Sequence, residues 1–375
     1  MGSAIRRLVL SGYYGFGNSG DEAVLQSILF ALEEQSRMAG IRIEPVVLSA
    51  RPDVTERMYG VRAVHRMKPV EVIDAIRSSD GLISGGGSLL QDATGVKTIP
   101  YYLAVAKLAQ WLGKPTFIYS QGIGPVRRKW FYPLISHVFN RSEYVSVRDA
   151  ESAELLKHMK VPEDRIQIVP DPVMGLPPRN RPVPEEAASD GRAPIIGVSV
   201  RYWNKDRSDL QLIAESLDYL SAQSGSQVWL RFLPFHLPSD EQASDEVIAA
   251  MKLTSRSRIS VVRGVEQPQE MLDQVGQCDL LIGMRLHSLI YAASQYVPMV
   301  GISYDPKIDQ FLHRLGMKAG GSTDHLNPPS LAAESLLLLS NRAAWIAEKQ
   351  SIIDELKQSS QLPAQQISIF LRNKG

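Results

Sequence analysis

Residues 8–40 have the sequence LVLSGYYGFGNSGDEAVLQSILFALEEQSRMAG, and the order of features within them indicates the fold class. The apolar run at 8–10 is typical of a buried strand in a parallel sheet. A glycine-rich loop follows, and residues 21–39 then carry apolar side chains at helical spacing and end before Gly40, a residue suited to a helix C-terminus. A strand, a glycine loop and a helix in this order predict a β-α unit of a Rossmann-like sheet.

The same pattern recurs along both halves of the chain. Further apolar runs lie at 45–48, 81–84, 116–119, 144–147 and 166–169, and then at 195–200, 228–233, 259–262, 280–283 and 298–302. Residues 176–194 between the two series are rich in proline and lack periodicity, which predicts a linker. We therefore predict an α/β protein with two doubly wound Rossmann-like domains, residues 1–175 and 195–340, facing each other across a cleft. A helical tail should follow at 341–375.

Composition excludes several classes of protein. The 375 residues include 41 Lys and Arg and 40 Asp and Glu, so the net charge of +1 offers no general attraction for nucleic acid. Cys278 is the only cysteine and is expected to be a buried thiol, and no His-x-x-x-His pair supports a zinc hydrolase. We expect chemistry without a metal or cofactor. Neither a signal-peptide core nor a membrane-spanning run is visible, which predicts a cytoplasmic protein.

The first glycine loop, residues 15–20, matches the dinucleotide fingerprint G-x-G-x-x-G. A dinucleotide is disfavoured because the acidic pair at 21–22 would repel a pyrophosphate, and no ribose-binding acid follows the next apolar run. Two interpretations stay open for Gly17, Asn18, Ser19 and Asp21. These residues either cap the helix or bind sugar hydroxyls, with Asp21 as a candidate base.

A second glycine cluster at 85–87 follows the third apolar run. Three glycines allow backbone N–H groups to approach a ligand closely, whereas a tight turn would need only one. We therefore predict that Gly86, Gly87 and Ser88 line a ligand site. Arg148 follows the fifth run and, beside Asp149, is either half of a structural salt bridge or a ligand group.

The sharpest motif of the second half is GMRLHS at 283–288, where an apolar run ends in glycine. The apolar spacing that begins at Leu286 predicts that Arg285 and His287 point away from the core. An arginine fork beside an imidazole suits an anionic substrate, since the fork binds carboxylate or phosphate and the imidazolium donates a proton. The alternative is a capping histidine beside a surface arginine. Arg201 and the segment 234–236 follow the neighbouring runs.

A basic and aromatic run, RRKWFY at 127–132, allows two interpretations. It is either the solvated start of a helix with buried aromatic residues or a contact for a diphosphate or an anionic membrane surface.

Six motifs in sequence order, at 17–23, 85–88, 120–125, 146–149, 171–173 and 285–288, resemble those of the polysaccharide pyruvyltransferase family. The likeness extends from Leu8 to about Leu339 and is nearest to bacterial cell-wall members. It implies a GT-B-like fold and transfer of the pyruvyl group of phosphoenolpyruvate onto two hydroxyls of one sugar.

The resemblance also implies roles for the donor-side residues. His287 is the expected general acid that protonates phosphoenolpyruvate. Arg285 and Arg201, with Arg148 as a weaker candidate, are expected to bind the carboxylate and phosphate of the donor. Leu286 and Ser288 complete the expected donor motif.

On the acceptor side, the resemblance implies that the first domain binds a lipid-diphosphate-linked saccharide through its two glycine loops. Asp21 or Asp92 would accept a hydroxyl proton, and the enzyme would contact the inner membrane surface peripherally. Two other functions stay open: a GT-B glycosyltransferase that uses a nucleotide sugar, and a non-catalytic glycan-binding protein.

Overall fold

A computed structural model describes residues 5–92, 95, 97–179, 192–225, 227–252 and 258–374. The chain divides into two compact units. The first unit comprises Met1–Leu176 and Leu356–Gly375, and the second comprises Pro177–Glu355. Most of the linker predicted at 176–194 lies outside the described residues.

The first unit contains a parallel sheet in the order β3-β2-β1-β4-β6-β7-β8, with β5 paired to β6. Its strands are β1 (Ile5–Tyr14), β2 (Arg42–Ser49), β3 (Arg62–His65), β4 (Gly81–Ser84), β5 (Gly87–Leu90), β6 (Thr116–Ile123), β7 (Tyr144–Val147) and β8 (Ile166–Ile168). Its first six helices are α1 (Ser19–Ala39), α2 (Pro52–Tyr59), α3 (Pro69–Arg77), α4 (Thr98–Trp111), α5 (Tyr132–Phe139) and α6 (Ala150–His158). A hydrophobic core forms where α3, α4, α5 and α6 pack on the strands.

The second unit repeats this architecture with the parallel order β11-β10-β9-β12-β13-β14. Its strands are β9 (Ile195–Ser199), β10 (Trp229–Phe232), β11 (Ile259–Val261), β12 (Leu280–Gly283), β13 (Met299–Ser303) and β14 (Gly321–Ser322). Its helices include α7 (Ser208–Gln223), α8 (Ser239–Ala250), α9 (Pro268–Gly276), α10 (Leu286–Ser294), α11 (Pro306–Arg314) and α12 (Pro328–Ser340). Both central orders are those of a Rossmann fold, so the predicted fold class is confirmed.

Two further helices end the described chain, α13 (Arg342–Ser359) and α14 (Leu362–Asn373). The boundary between the units falls within α13, and α14 packs on α1 of the first unit. Ala364, Ile367 and Leu371 are the buried apolar side chains of α14. Among the described residues, no helix has the length and apolar character needed to cross a membrane.

Residues at the two ends of α1 explain where this helix begins and ends. Asn18 accepts a hydrogen bond from the Gly20 amide at 3.1 Å, and Gly40 adopts φ 67° at the C-terminus of α1. Helix capping is therefore one real role of Asn18. Cys278, which precedes β12, is buried as predicted.

Candidate functional site

Each sheet has a switch point at the carboxyl ends of its strands, where helices on the two sides of the sheet diverge. In the first unit the switch point lies between β1 and β4, and both glycine loops begin there. In the second unit it lies between β9 and β12, which are followed by Arg201 and Arg285. The motifs from the sequence therefore occupy the position in each unit that best suits ligand binding.

The second glycine loop lies directly against the first turn of α1. Gly87 has φ +83°, and a Cβ at this position would lie 2.9 Å from Asp21 Oδ1. A Cβ at Gly86 would lie 2.8 Å from Val24 Cγ1. The positive φ at Gly87 favours glycine, and a side chain at either position would force Asp21 or Val24 to shift, so the two glycines let the loop lie close to the Asp21 carboxylate.

Asp21 is the titratable group best suited to proton transfer in this unit. Burial, followed by the negative charges of Glu22 and Asp171, raises its pKa to about 7 against the opposing effect of Arg148. A carboxyl group with a pKa near neutrality can exchange a proton with a substrate at physiological pH. Glu22 has a different role, since its carboxylate accepts from the Gly15 amide at 2.8 Å and fixes the first loop.

Arg148 is buried and connects several elements at the carboxyl end of β7. It donates to Ser88 Oγ at 2.9 Å and pairs with Asp171 and Asp149, each at 3.4 Å. These contacts hold the second glycine loop in place, which favours the structural interpretation of Arg148. Ser88 is half-buried and is oriented by this contact, whereas Gly17 is exposed and Asn18 and Ser19 are half-buried.

Asp92 makes contacts that suit a structural group better than a base. Its two carboxylate oxygens accept from the amides of Arg127 and Arg128 at 2.8 and 2.9 Å, and Arg128 Nη1 lies 3.3 Å away. Burial alone would raise the pKa of Asp92, but these two amides and the guanidinium outweigh it and lower the pKa. Of the two carboxylates that the sequence left open, these contacts favour Asp21 as the candidate base. In the run that Asp92 anchors, Phe131 is buried and Trp130 is exposed.

Arg285 in the second unit is held by Asp240, a fully buried carboxylate on α8. Arg285 Nε and Nη2 lie 2.9 and 2.5 Å from the two oxygens of Asp240, which also accepts from the amides of Phe235 and His236. The sequence predicts that the guanidinium fork of Arg285 binds the substrate, and in this structure its Nε and Nη2 atoms are paired with Asp240. The pairing fixes the orientation of the guanidinium, and Nη1 is the edge left for an anion.

Arg201 lies among aromatic side chains at the end of β9. It donates to the hydroxyl of Tyr304 at 2.7 Å, and its guanidinium carbon lies 4.8 Å from the ring centre of Tyr304 and 5.3 Å from that of Trp203. These contacts hold a half-buried guanidinium in one place.

His287 is half-exposed in the first turn of α10, and Leu286 beside it is half-buried. The residues that follow, Leu289 and Ile290, are buried, as the apolar spacing predicts. Ser288 is also buried, and its hydroxyl donates to the Arg285 carbonyl at 2.7 Å. Ser288 therefore shapes the turn, and its position lends no support to the predicted substrate contact.

The sequence model of the polysaccharide pyruvyl transferase family matches residues 18–306, a segment that contains Asp21, the second glycine cluster and the motif at 283–288. The chain belongs to the polysaccharide pyruvyl transferase family. As a member of this family it is a pyruvyltransferase.

Solved structures with low sequence identity share the fold of this family member. A UDP-N-acetylglucosamine 2-epimerase described as putative, from Listeria monocytogenes, has a TM-score of 0.64 at 13% identity, covering 97% of this chain and 95% of that chain. The UDP-GlcNAc 2-epimerase of Neisseria meningitidis, bound to UDP-GlcNAc, has a TM-score of 0.61 at 11% identity, with coverages of 95% and 98%. Anabaena HepE in complex with UDP has a TM-score of 0.61 at 13% identity, with coverages of 99% and 100%. These likenesses show a GT-B-like fold.

His236 of this pyruvyltransferase was not predicted to be a site residue, although His236 follows β10 at the same edge of the sheet as Arg201 and Arg285. Burial lowers the pKa of His236, the charge of Arg285 and then that of Arg201 lower it further, and Asp240 opposes them. His236 therefore lies in the field of both arginines, which places all three in one neighbourhood. The only sequence signal was the position of the histidine directly after an apolar run.

Two further buried polar groups, in the first unit of the pyruvyltransferase, were not among the predicted site residues. The Tyr14 hydroxyl and the side-chain amide of Gln121 have no hydrogen-bond partner within the described chain. Buried polar groups without partners cost free energy, so both are candidates to bind a ligand or an ordered water. Tyr14 lies at the end of a strand, where the sequence pattern indicates only core, whereas Gln121 belongs to the motif at 120–125 on which the family resemblance rests. No group of three His, Cys, Asp or Glu suited to a metal ion occurs among the described residues.

Proposed function

We propose that the chain transfers the pyruvyl group of phosphoenolpyruvate to two hydroxyls of one sugar and releases phosphate. The observation that carries this proposal is the cluster at the carboxyl edge of the second sheet. There, Arg201 and Arg285 are both oriented by neighbouring side chains, the charges of both act on His236, and His287 lies in the first turn of α10. Two guanidiniums suit a donor that carries both a carboxylate and a phosphate.

The proposed reaction needs one acid and one base. His287 protonates the methylene carbon of phosphoenolpyruvate, so that the central carbon becomes cationic and is attacked by the first hydroxyl oxygen. The bond between the central carbon and the phosphate oxygen then breaks, and the second hydroxyl oxygen closes the ketal ring. The two hydroxyl protons end on the new methyl group and on phosphate. The arginines stabilise the donor anion throughout.

We assign the acceptor to the first unit. The glycine loops bring backbone groups and the Asp21 carboxyl to one place, and a carboxyl with a pKa of about 7 can accept a hydroxyl proton. The sequence resemblance to the bacterial cell-wall pyruvyltransferase CsaB supports a lipid-diphosphate-linked disaccharide, with a 4,6-ketal formed on N-acetylmannosamine. This acceptor would be used in cell-wall polymer synthesis related to S-layer anchoring, at the inner membrane surface.

Phosphate release tests the proposed function directly. Purified protein is incubated with phosphoenolpyruvate, with and without the lipid-linked disaccharide, and the product is analysed by mass spectrometry. We expect acceptor-dependent phosphate release and a product heavier than the acceptor by one ketal-linked pyruvate. UDP-GlcNAc in place of phosphoenolpyruvate should give no product. Sugar transfer from UDP-GlcNAc, without use of phosphoenolpyruvate, would support the glycosyltransferase alternative instead.

Lysine in place of either arginine is expected to weaken donor binding about tenfold or more, because an ammonium cannot reproduce a planar guanidinium contact. Arg285→Lys also breaks the paired contact with Asp240. Calorimetric titration with phosphoenolpyruvate measures the effect for Arg285→Lys and Arg201→Lys. Arg263→Lys is the matched control, since Arg263 pairs with Asp245 on the surface of the same unit. Wild-type donor affinity in both test variants would remove the two arginines from the site.

EDTA is expected to leave the rate of phosphate release unchanged. A divalent metal would act at the phosphate as a Lewis acid, and the two guanidiniums already neutralise that charge. The measurement is the initial rate with EDTA, with added magnesium, and with neither. Loss of activity in EDTA with recovery in magnesium would contradict the role given to Arg201 and Arg285.

A further inference from the structure

One face of the first unit exposes large apolar side chains close to a cluster of cations. Trp111, at the end of α4, is 75% exposed, and Trp130, just before α5, is 55% exposed. Leu134 on α5 is 49% exposed. Exposed tryptophans in one region mark an interaction surface more often than an ordinary solvated face.

The spacing of these residues places them on one side of the two helices. Trp130, Leu134 and His137 follow one another at intervals of four and three residues, while Ile135 and Val138 are buried. On α4, Lys107 and Trp111 lie one turn apart. The two helices pack side by side, and Lys107 Nζ lies 2.6 Å from His137 Nε2.

A second cation reaches the same imidazole nitrogen. Arg141 Nη1 lies 2.9 Å from His137 Nε2, and no carboxylate forms an ion pair with Lys107 or Arg141 within the described chain. Burial lowers the pKa of His137, and the charges of Lys107 and Arg141 lower it further, which favours a neutral imidazole that accepts from both cations. Two cations held close together without a counter-ion repel each other, and a bound anion would relieve this repulsion.

A surface cavity of about 330 Å³ opens beside this cluster. The charged residues that line it are four cations, Lys107, Lys114, Arg141 and Lys374, and one carboxylate, Glu143. The local charge is therefore positive although the net charge of the chain is only +1.

We propose that this α4–α5 face, formed by Lys107, Trp111, Trp130, Leu134, His137 and Arg141, docks the first unit on an anionic lipid bilayer. Tryptophan rings favour the headgroup layer of a membrane, and clustered cations are attracted to anionic lipids. On α4, Trp111 lies roughly 6 Å beyond Lys107, and on α5, Leu134 lies roughly 5 Å before His137, so each helix presents an exposed apolar side chain next to the cation–imidazole cluster. This docking places the enzyme at a membrane surface. Only its link to a lipid-linked acceptor rests on the proposed function.

Vesicle flotation with the full chain tests the docking without any substrate. The vesicles are phosphatidylcholine alone and an equal mixture of phosphatidylcholine and phosphatidylglycerol. We expect binding to the mixed vesicles only, with affinity that falls as salt rises. Removing two surface cations in the Lys107→Gln/Arg141→Gln variant should weaken binding roughly thirtyfold. Trp111→Ser/Trp130→Ser should weaken it at least tenfold.

Two control variants match these changes elsewhere. Arg57→Gln/Arg77→Gln removes two exposed cations from α2 and α3 of the same unit, and Trp229→Ser removes an exposed tryptophan of the second unit. Both are expected to bind vesicles like the wild type. Equal binding to both kinds of vesicle, or equal loss in the control variants, would overturn the proposal.

Two other occupants of the face give distinct results. Absence of vesicle binding together with stabilisation by inorganic phosphate that depends on Lys107 and Arg141 would identify a site for free phosphate. A dimer in sedimentation velocity that Trp130→Ser dissociates would identify a second copy of the chain. Either result overturns the docking. Phosphate release from phosphoenolpyruvate with a short-chain soluble acceptor is measured in parallel, so that failure of docking and failure of the proposed function can be told apart.

Discussion

His287→Ala is expected to lower kcat for phosphate release by about two to four powers of ten while leaving the fold intact. Loss of a general acid typically has an effect of this size, and the half-exposed position of His287 at the start of α10 makes the substitution easy for the fold to accept. The measurements are steady-state kinetics with a fixed acceptor and thermal unfolding. His313→Ala, at an exposed histidine of α11, should have wild-type kcat.

His236→Ala distinguishes the roles of the two histidines near Arg285, His236 and His287. If His287 is the acid and His236 shapes the charge around the arginines, His236→Ala should change KM for phosphoenolpyruvate more than kcat. A kcat within threefold of wild type for His287→Ala, combined with a large loss for His236→Ala, would move the acid role to His236.

Asp21→Asn is the second substitution with a large expected effect. It should lower the activity and, at pH 8, raise the stability of the protein. Loss of the base should lower kcat about a hundredfold or more. In the wild type, the folded-state pKa of about 7 lies above the unfolded value near 4, so the folded state loses stability as pH rises through this window. Asparagine carries no charge to bury, so the variant should melt at a higher temperature than the wild type at pH 8 and show little difference at pH 4.

The pH profile gives an independent test of Asp21. The wild-type kcat/KM should fall as pH drops below about 7, because the carboxyl must be ionised to act as a base. Asp92→Asn provides the contrast, since it replaces one of the two buried acceptor oxygens with an NH2 group that faces an amide donor, and should lower the melting temperature with little effect on kcat. A loss of kcat in Asp92→Asn with unchanged stability would make Asp92 the base.

Most of the fold follows from local sequence. Ten apolar runs beyond the first lie in or next to observed strands, and the helix predicted at 21–39 is α1 with two more residues at its start. The missed strands have physical explanations. Strand β3 contains only two buried apolar residues between Arg62 and His65, so it lacks a continuous apolar run. Strand β5 begins within the glycine cluster, where the sequence predicts only loop.

The site was predicted less completely because its decisive contacts join residues far apart in sequence. Positions after strand ends were enough to find Asp21, Arg201, Arg285 and His287. Nothing local indicates that Asp240, 45 residues away, binds the fork of Arg285. The choice between Asp21 and Asp92 likewise depends on burial and on amide contacts that no spacing rule contains.

The position of α14 has a consequence for how the protein is made. Its buried residues pack on α1, and a Cβ at Gly175 would meet Ser360 and Gln361 at 2.5 and 2.3 Å, so residues 356–374 complete the first unit. During translation these residues leave the ribosome only after the whole second unit has been synthesised. Until then, the earlier part of the first unit, residues 1–176, leaves the α14-binding side of α1 exposed to solvent. We therefore expect released chains truncated after residue 355 to contain a folded second unit and an incomplete first unit.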